Sequence, residues 1–363
     1  MNKQRINMKK ALIISLSTIA GLIVLTLISA LVIRTVGKNR LKNSTVESHP
    51  VIITEETALA APEEKEKWEE GWIKYNGKIY EYNDDIMTFL IMGVDKNGKV
   101  KQVAEGTNGG QADALFLLVL DSKKETISVI GINRNTMTDI DIYNEYGDFV
   151  TTTKAQIAVQ HGFGNGVEES CEYEVDAVRK LMYQLPIHGY AAINMKAIPI
   201  INDAVGGVNL EALEDVYNGN NQRIIKEGAA VHLKGDQAYW YIRDREYEEF
   251  GSADRRLARQ KQYLTIFLAQ AKAAVKNDIG VVSELYKDIT PYMTTNVSFD
   301  EVAYLAPEVA GYQFSESQFH MIEGETKMGE EFEEFYADEE KLYGLVISVF
   351  YREVDTKSKR REH

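Results

Sequence analysis

The run MTFLIMGV (Met87–Val94), followed by ALFLLVL (Ala114–Leu120) and ISVIGI (Ile127–Ile132), has the length of strands and is apolar at nearly every position. A strand with one wet face alternates apolar with polar residues, whereas a near-continuous apolar strand is covered on both faces. Just upstream, Trp72–Tyr75 and Lys78–Tyr82 flank Asn76-Gly77, a pair suited to a two-residue type I′ hairpin turn. Downstream, helices are expected over Thr153–Gln160 and Glu168–Gln184. A short strand follows at Tyr190–Asn194, then a helix at Lys196–Ala204 and a turn at Gly206-Gly207. Strands alternating with helices predict an α/β chain, a three-layer αβα domain whose mixed central sheet is flanked by helices.

Composition narrows the function classes. The chain has 363 residues, 44% hydrophobic and 26% charged, enough for one large domain or two small ones. Its 55 acidic and 41 basic residues give a net charge of -14, which argues against a nucleic-acid partner. The residues beyond 42 are more acidic still, because residues 1–42 carry basic but no acidic side chains. The only cysteine, Cys171, excludes an internal disulfide and a thiolate zinc site, and the scattered histidines show no HExxH spacing.

The beginning of the chain reads as a membrane anchor. Ala11–Ile33 is free of charge, and as a helix it would span roughly 35 Å, sufficient for a bilayer core. The apolar region of a cleaved signal peptide would be shorter. Lys3, Arg5, Lys9 and Lys10 on one side balance Arg34, Lys38, Arg40 and Lys42 on the other, so the positive-inside rule gives a tie. The simplest topology exports the large domain that follows. The expected organisation is a basic cytoplasmic N-terminus (1–10), one transmembrane helix (11–33), a stalk (34–70), a catalytic domain (71–280) and a C-terminal helical extension (281–363). The last ends in an amphipathic helix over Glu340–Tyr351 and a basic tail, Lys357–Arg361.

Candidate chemistry gathers in YWYIRDREYEEFGSADRRLARQKQ (Tyr239–Gln262), which places Arg243, Arg245, Arg255, Arg256, Arg259 and Lys261 in an acidic background. Ala238–Ile242 reads as a buried strand with Arg243 and Arg245 on one face at its end. Ser252 is the expected N-cap of a helix whose stripe includes Leu257, Leu264, Phe267 and Leu268, with Arg256 and Gln260 beside it. Forked guanidiniums at a helix N-terminus suit phosphate oxygens. A solvated charged face is the competing reading, because Glu246, Glu248, Glu249 and Asp254 are near enough to neutralise several of these arginines.

Asp95 and Asp113 stand at strand boundaries, the placement that lets carboxylates share Mg²⁺ with a phosphate, although aspartate there is also ordinary turn chemistry. Arg134 follows the third apolar run, and Lys154 is expected to open a helix. No GxGxxG or GxxxxGK[ST] phosphate loop and no GxSxG elbow occurs.

Between about Met87 and Ala271 several segments, in order, resemble the LytR-CpsA-Psr family of bacterial cell-envelope proteins. FLIMGVD and QADALFLLVLD resemble its two aspartate motifs, with Asp95 and Asp113 in those places. GINRNT resembles its arginine motif at Arg134, and TKAQIAVQHGFGNG its lysine and Tyr/His-Gly-Gly segment at Lys154. INDAVGGVNL resembles a further glycine block. LKGDQAYWYIRDRE with RRLARQ resembles the closing signature and puts Arg243, Arg245, Arg256 and Gln260 on binding positions. Three departures are Gln111, where arginine or lysine is common, Asn135, where aspartate is usual, and a looser glycine block near His161.

The resemblance implies a single-pass cell-membrane protein with an extracytoplasmic catalytic domain. Its activity would be that of an Mg²⁺-dependent phosphotransferase, moving a glycopolymer such as teichoic acid or capsule from a polyprenyl-pyrophosphate carrier to peptidoglycan. Arg134, Arg243, Arg245, Arg256 and Gln260 would be catalytic, Lys154 and Arg259 would bind substrate, and Asp95 and Asp113 would hold the metal. Val208, Leu264 and Phe267 would line a lipid channel or simply belong to the core. Two other classes remain, a polyprenyl-pyrophosphate hydrolase and a non-catalytic lipid-binding or regulatory protein.

Overall fold

The computed structural model describes residues 35–41, 71–103, 109–245 and 249–354. The expected transmembrane helix, most of the stalk and the basic tail lie outside the described residues. Among those described, no helix is long and apolar enough to cross a membrane.

The chain enters through the hairpin β1 (Ile73–Tyr75) and β2 (Lys78–Tyr82). Asn76 and Gly77 sit at φ 49° and 76°, the left-handed pair a type I′ turn demands. The three apolar runs become β3 (Ile86–Val94), β4 (Ala112–Asp121) and β5 (Thr126–Ile132), paired antiparallel in that order. A second hairpin, β6 (Met137–Tyr143) and β7 (Phe149–Gln156), leads into a 3-10 helix, Ile157–Phe163. Then come α1 (Glu168–Leu181), β8 (Gly189–Asn194) and α2 (Ala197–Ala204). A small lobe holds β9 (Val208–Glu211), β10 (Val216–Tyr217), β11 (Arg223–Ile225) and β12 (Ala230–Leu233), with β9 paired to β12 and β10 to β11.

The helices α3 (Asp236–Arg243), α4 (Ser252–Asn277) and α5 (Gly280–Ile289) follow. The remainder comprises β13 (Met293–Thr295), α6 (Phe299–Gly311), β14 (Phe319–Met321), the hairpin β15 (Gly324–Met328) and β16 (Glu333–Ala337), α7 (Glu339–Phe350) and β17 (Tyr351–Glu353).

The central sheet has the order β13-β8-β3-β4-β5-β14. It is mixed, because β3–β8 and β5–β14 are parallel and the other pairs antiparallel. Alternate residues serve the two faces. Leu90, Met92, Leu115, Leu117, Ile130 and Ile132 join one core with Cys171 and Val178 of α1 and Val346 and Phe350 of α7. Phe89, Phe116, Leu120, Ile127 and Val129 join the other with Leu257 of α4, alongside Leu264, Leu268 and Leu305. Helices thus cover both faces, as near-continuous apolar strands require.

Four local expectations change. Ala238–Ile242 is the body of helix α3, not a strand; its buried residues, Ala238 and Tyr241, are three apart, a helical spacing that puts both on the core. Thr153–Gln160 is not an α-helix, for β7 runs through Gln156 before the 3-10 turn, and Lys154 lies within the strand. Ser252 is the first residue of α4 and Gly251, at φ 76°, precedes it; the Ser252 hydroxyl accepts from Arg245 Nε at 2.8 Å rather than capping the helix. The segment after 280 is not only helical, since β13 and β14 form the two edges of the central sheet. Near the start, residues 35–41 are helical, and Leu41 enters the core beside α6, where Arg40 pairs with Asp300 at 3.1 Å.

Candidate active site

The strand arrangement gathers the candidate residues at one end of the sheet. β3 and β5 run toward that end and finish just before Asp95 and Arg134, while β4 begins there with Asp113. The β3–β4 register shifts at this end: Gly93 faces Ala114 but Val94 faces Ala112. Asp113 is therefore the extra residue of a β-bulge, a device that re-aims a side chain at a sheet's end. The backbone N–H groups of Asp95 and Asp113 both donate to the Gln111 carbonyl at 3.1 Å, and Asp95 Oδ1 accepts from Gln111 N at 2.8 Å. The two carboxylates are thereby fixed to one backbone unit.

Asp113 is held between two arginines. Arg134 Nε lies 3.0 Å from Oδ1 and Arg256 Nη1 lies 3.5 Å from Oδ2, and Arg256 Nη2 donates to the Asp113 carbonyl at 3.3 Å. Arg134 also donates to the Gln111 side chain. The Arg256 side chain is 4% exposed, so these charges interact through a medium of lower effective dielectric than water.

Beside this cluster opens a cavity of about 200 Å³. Ile91, Met92, Phe116, Ile193, Ile198, Tyr263, Leu264 and Phe267 make it apolar, and Asp113, Arg243, Arg256 and Gln260 bring the polar groups. Arg243 ends α3, its guanidinium carbon 5.7 Å from the Tyr239 ring centre and 5.6 Å from that of Trp240, a cation–π arrangement. Gln260 donates to the Ile242 carbonyl at 3.0 Å, which ties α4 to α3. An apolar chamber with forked cations at one side suits a ligand having a long hydrocarbon and an anionic head.

The remaining expected residues lie elsewhere. Lys154 pairs with Asp139 at 3.1 Å on the exposed β6–β7 hairpin and does not line the chamber. Arg259 is buried; its Nε meets Glu214 at 2.6 Å, Nη1 donates to the Tyr241 carbonyl at 2.8 Å, and Nη2 donates to that of Asp244. Burial pushes its pKa below the usual arginine range, and Glu214 opposes that shift. The Arg245 side chain is 8% exposed and pairs with Glu333 at 3.1 Å. Val208 belongs to the core of the small lobe, whereas Leu264 and Phe267 line the chamber. The sequence reading missed the Gln111 side chain as a bridge, the chamber residues of β8 and α2, and Glu333. Only the alternation around Ile193 and the stripe of α2 could have suggested the second of these.

Behind the site, His161 is buried with Nδ1 2.8 Å from the Gly110 carbonyl, and its backbone N–H donates to Glu174 Oε2 at 2.9 Å. Burial lowers the pKa of His161 and raises that of Glu174 well above the carboxylate range. Gly109 is required here, because a Cβ on it would lie 2.4 Å from the His161 carbonyl.

No group of three or more His, Cys, Asp or Glu able to hold a metal occurs among the described residues. Mg²⁺, however, is commonly bound by one or two carboxylates and completed by substrate phosphates. Asp95 and Asp113, hard oxygen donors on a shared backbone anchor, fit such an ion.

The LytR_cpsA_psr family model matches residues 50–345, and the chain belongs to this family. The polyisoprenyl-teichoic acid–peptidoglycan teichoic acid transferase TagU of Bacillus mycoides (strain KBAB4) is 26% identical over 216 residues, 59% of this chain and 62% of the relative. A protein of the same name from Halalkalibacterium halodurans is 28% identical over 187 residues, 52% and 54% of the respective chains. These matches span less than two thirds of the relatives' length. The crystal structure of B. subtilis TagV matches at a TM-score of 0.57 and 22% identity, covering 73% of this chain and 96% of that one. TagT bound to LI-WTA matches at 0.52 and 17%, covering 73% and 90%. At these identities the structural likeness is one of fold.

Proposed function

We propose that the protein is a membrane-anchored, extracytoplasmic phosphotransferase that carries a glycopolymer from a polyprenyl diphosphate to peptidoglycan. The observation that carries this reading is the Asp113–Arg134–Arg256 cluster beside an apolar chamber. The prenyl chain occupies the chamber. Arg134, Arg243 and Arg256 grip the diphosphate oxygens, Arg245 supports them from the adjoining segment, and Gln260 orients the head group. Lys154, exposed on β7, is assigned to the glycan side of the substrate; Arg259, buried against Glu214 and two carbonyls, ties α4 to α3 and is not a substrate ligand.

An acceptor hydroxyl of peptidoglycan attacks the phosphorus next to the sugar. The new O–P bond forms as the P–O bond to the prenyl phosphate breaks, so the polymer keeps one phosphate and prenyl monophosphate leaves. The hydroxyl proton passes to one of the two aspartates, and the arginines stabilise the charge that builds on the phosphoryl oxygens. Asp95 and Asp113 would hold Mg²⁺, which when bound neutralises charge on the diphosphate.

The full chain purified from membranes should carry a prenyl phosphate detectable by mass spectrometry. Arg256→Ala should lower transfer on the order of 10² to 10³-fold. Unchanged transfer in that variant would remove Arg256 from the catalytic machinery.

A further inference from the structure

We infer that Glu333, on the hairpin β15–β16, is the positioning residue that holds the arginine-bearing segments of the site in register; this rests on the reading of those arginines as a diphosphate clamp. The segments come from distant parts of the chain. Arg134 lies on the loop after β5, Arg245 on the link after α3, and Arg256 in the first turns of α4.

Glu333, 7% exposed, touches all three segments. Its Oε2 accepts from Arg245 Nη2 at 3.1 Å and from Asn135 Nδ2 at 3.4 Å. Its Oε1 accepts from the backbone N–H of Gly251, which leads into α4, at 2.7 Å. Asn135 is the neighbour of Arg134, so one carboxylate joins the Arg134 loop to the chain on both sides of residues 246–248.

The hairpin is itself held in place. Phe335 N donates to the Asn135 carbonyl at 2.9 Å, and Gln156 Nε2 donates to the Glu333 carbonyl at 2.6 Å. Asp254 of α4 makes a second tie, accepting from Asn133 Nδ2 at 2.6 Å and from Thr326 Oγ1 of β15 at 2.8 Å. A surface pair would add little. A buried carboxylate with three donors from three segments is costly to disturb, because three hydrogen bonds are lost at once.

Charge and position make opposite predictions for Glu333→Gln. As a charge alone, the carboxylate opposes anion binding, and its removal should tighten the site. As a positioning group its removal should loosen the site: the glutamine keeps an acceptor for Gly251 but turns its amide nitrogen toward Arg245 and Asn135, both donors. Asn135→Asp in the same chain returns a carboxylate to the Arg245 side of that hydrogen bond with the donor and acceptor exchanged.

The test is calorimetric titration of the full chain in detergent with geranyl diphosphate, at a temperature where circular dichroism shows every variant folded. Glu333→Gln should weaken binding on the order of 10 to 100-fold, and Asn135→Asp/Glu333→Gln should recover most of it. Unchanged or tighter binding by Glu333→Gln, or no recovery in the double variant, overturns the positioning role while the clamp stands. Failure of the wild-type chain to bind overturns the clamp and this inference with it.

Discussion

Asp113 meets two arginines because β4 has one residue more than β3 at that point, and the bulge turns the carboxylate toward Arg134 and Arg256. The identity of Asp113 as a candidate was legible from its place before an apolar run. Its orientation was not, since a bulge is a property of two paired strands. Glu174 shows a different balance. Its pKa is raised by burial, so the native state prefers it protonated. Its contribution is favourable below the unfolded carboxylate range and is lost as pH rises through the folded pKa. Glu174→Gln, which keeps an acceptor for His161 N, should raise the melting temperature at pH 8 and leave it nearly unchanged at pH 4. His161 acts in the opposite sense: burial lowers its pKa, and stability falls as pH drops below the ordinary histidine range. A pH series of thermal melts on the single variant separates the two.

At the level of elements, α3 and α4 divide their arginines by face. Arg243 and Arg256 line the chamber, whereas Arg259 reaches the carbonyls at the end of α3 and pins the two helices together. Arg259→Met should cost about 3 kcal/mol in urea unfolding, because Glu214 and two carbonyls lose their partner. Stability unchanged within error would contradict a pinning role. The chamber can be tested apart from the clamp. Ile198→Trp, from the chamber face of α2, should weaken binding of a long prenyl diphosphate but leave inorganic diphosphate unaffected; equal loss for both would show that the chamber does not hold the chain. The helix α3 was misread as a strand because its Tyr-Trp-Tyr-Ile core favours strands locally, while burial of Ala238 and Tyr241 on one side selects the helix. Thr153–Gln160 departs in the reverse direction, because Thr153, continuing the β-branched run Thr151–Thr152, is paired across β6.

For the molecule as a whole, the strongest signal in the sequence was the set of apolar strands, and these form the middle of the sheet. Its edges were hidden. β13 and β14 are three residues each, too short for periodicity to announce, and they close the sheet from beyond residue 280. β17 likewise returns to pair with β2, near the start of the folded region. Ending the chain after Asp278 should therefore yield insoluble or protease-sensitive protein; a soluble, resistant product would show that the earlier residues fold without these edges. Glu333 was illegible for a related reason, because its partners lie 82, 88 and 198 residues away in sequence.

The proposed transfer grips the diphosphate beside the apolar chamber and passes one of its phosphates on with the polymer. The most direct measurement incubates the full chain with a polyprenyl diphosphate-linked glycan, with and without peptidoglycan, and identifies both products by mass spectrometry. Transfer should yield phosphate-linked glycan on peptidoglycan together with prenyl monophosphate, both dependent on the acceptor and both lost in Asp113→Ala. Release of prenyl monophosphate at the same rate without peptidoglycan, or transfer that survives Asp113→Ala, would contradict it.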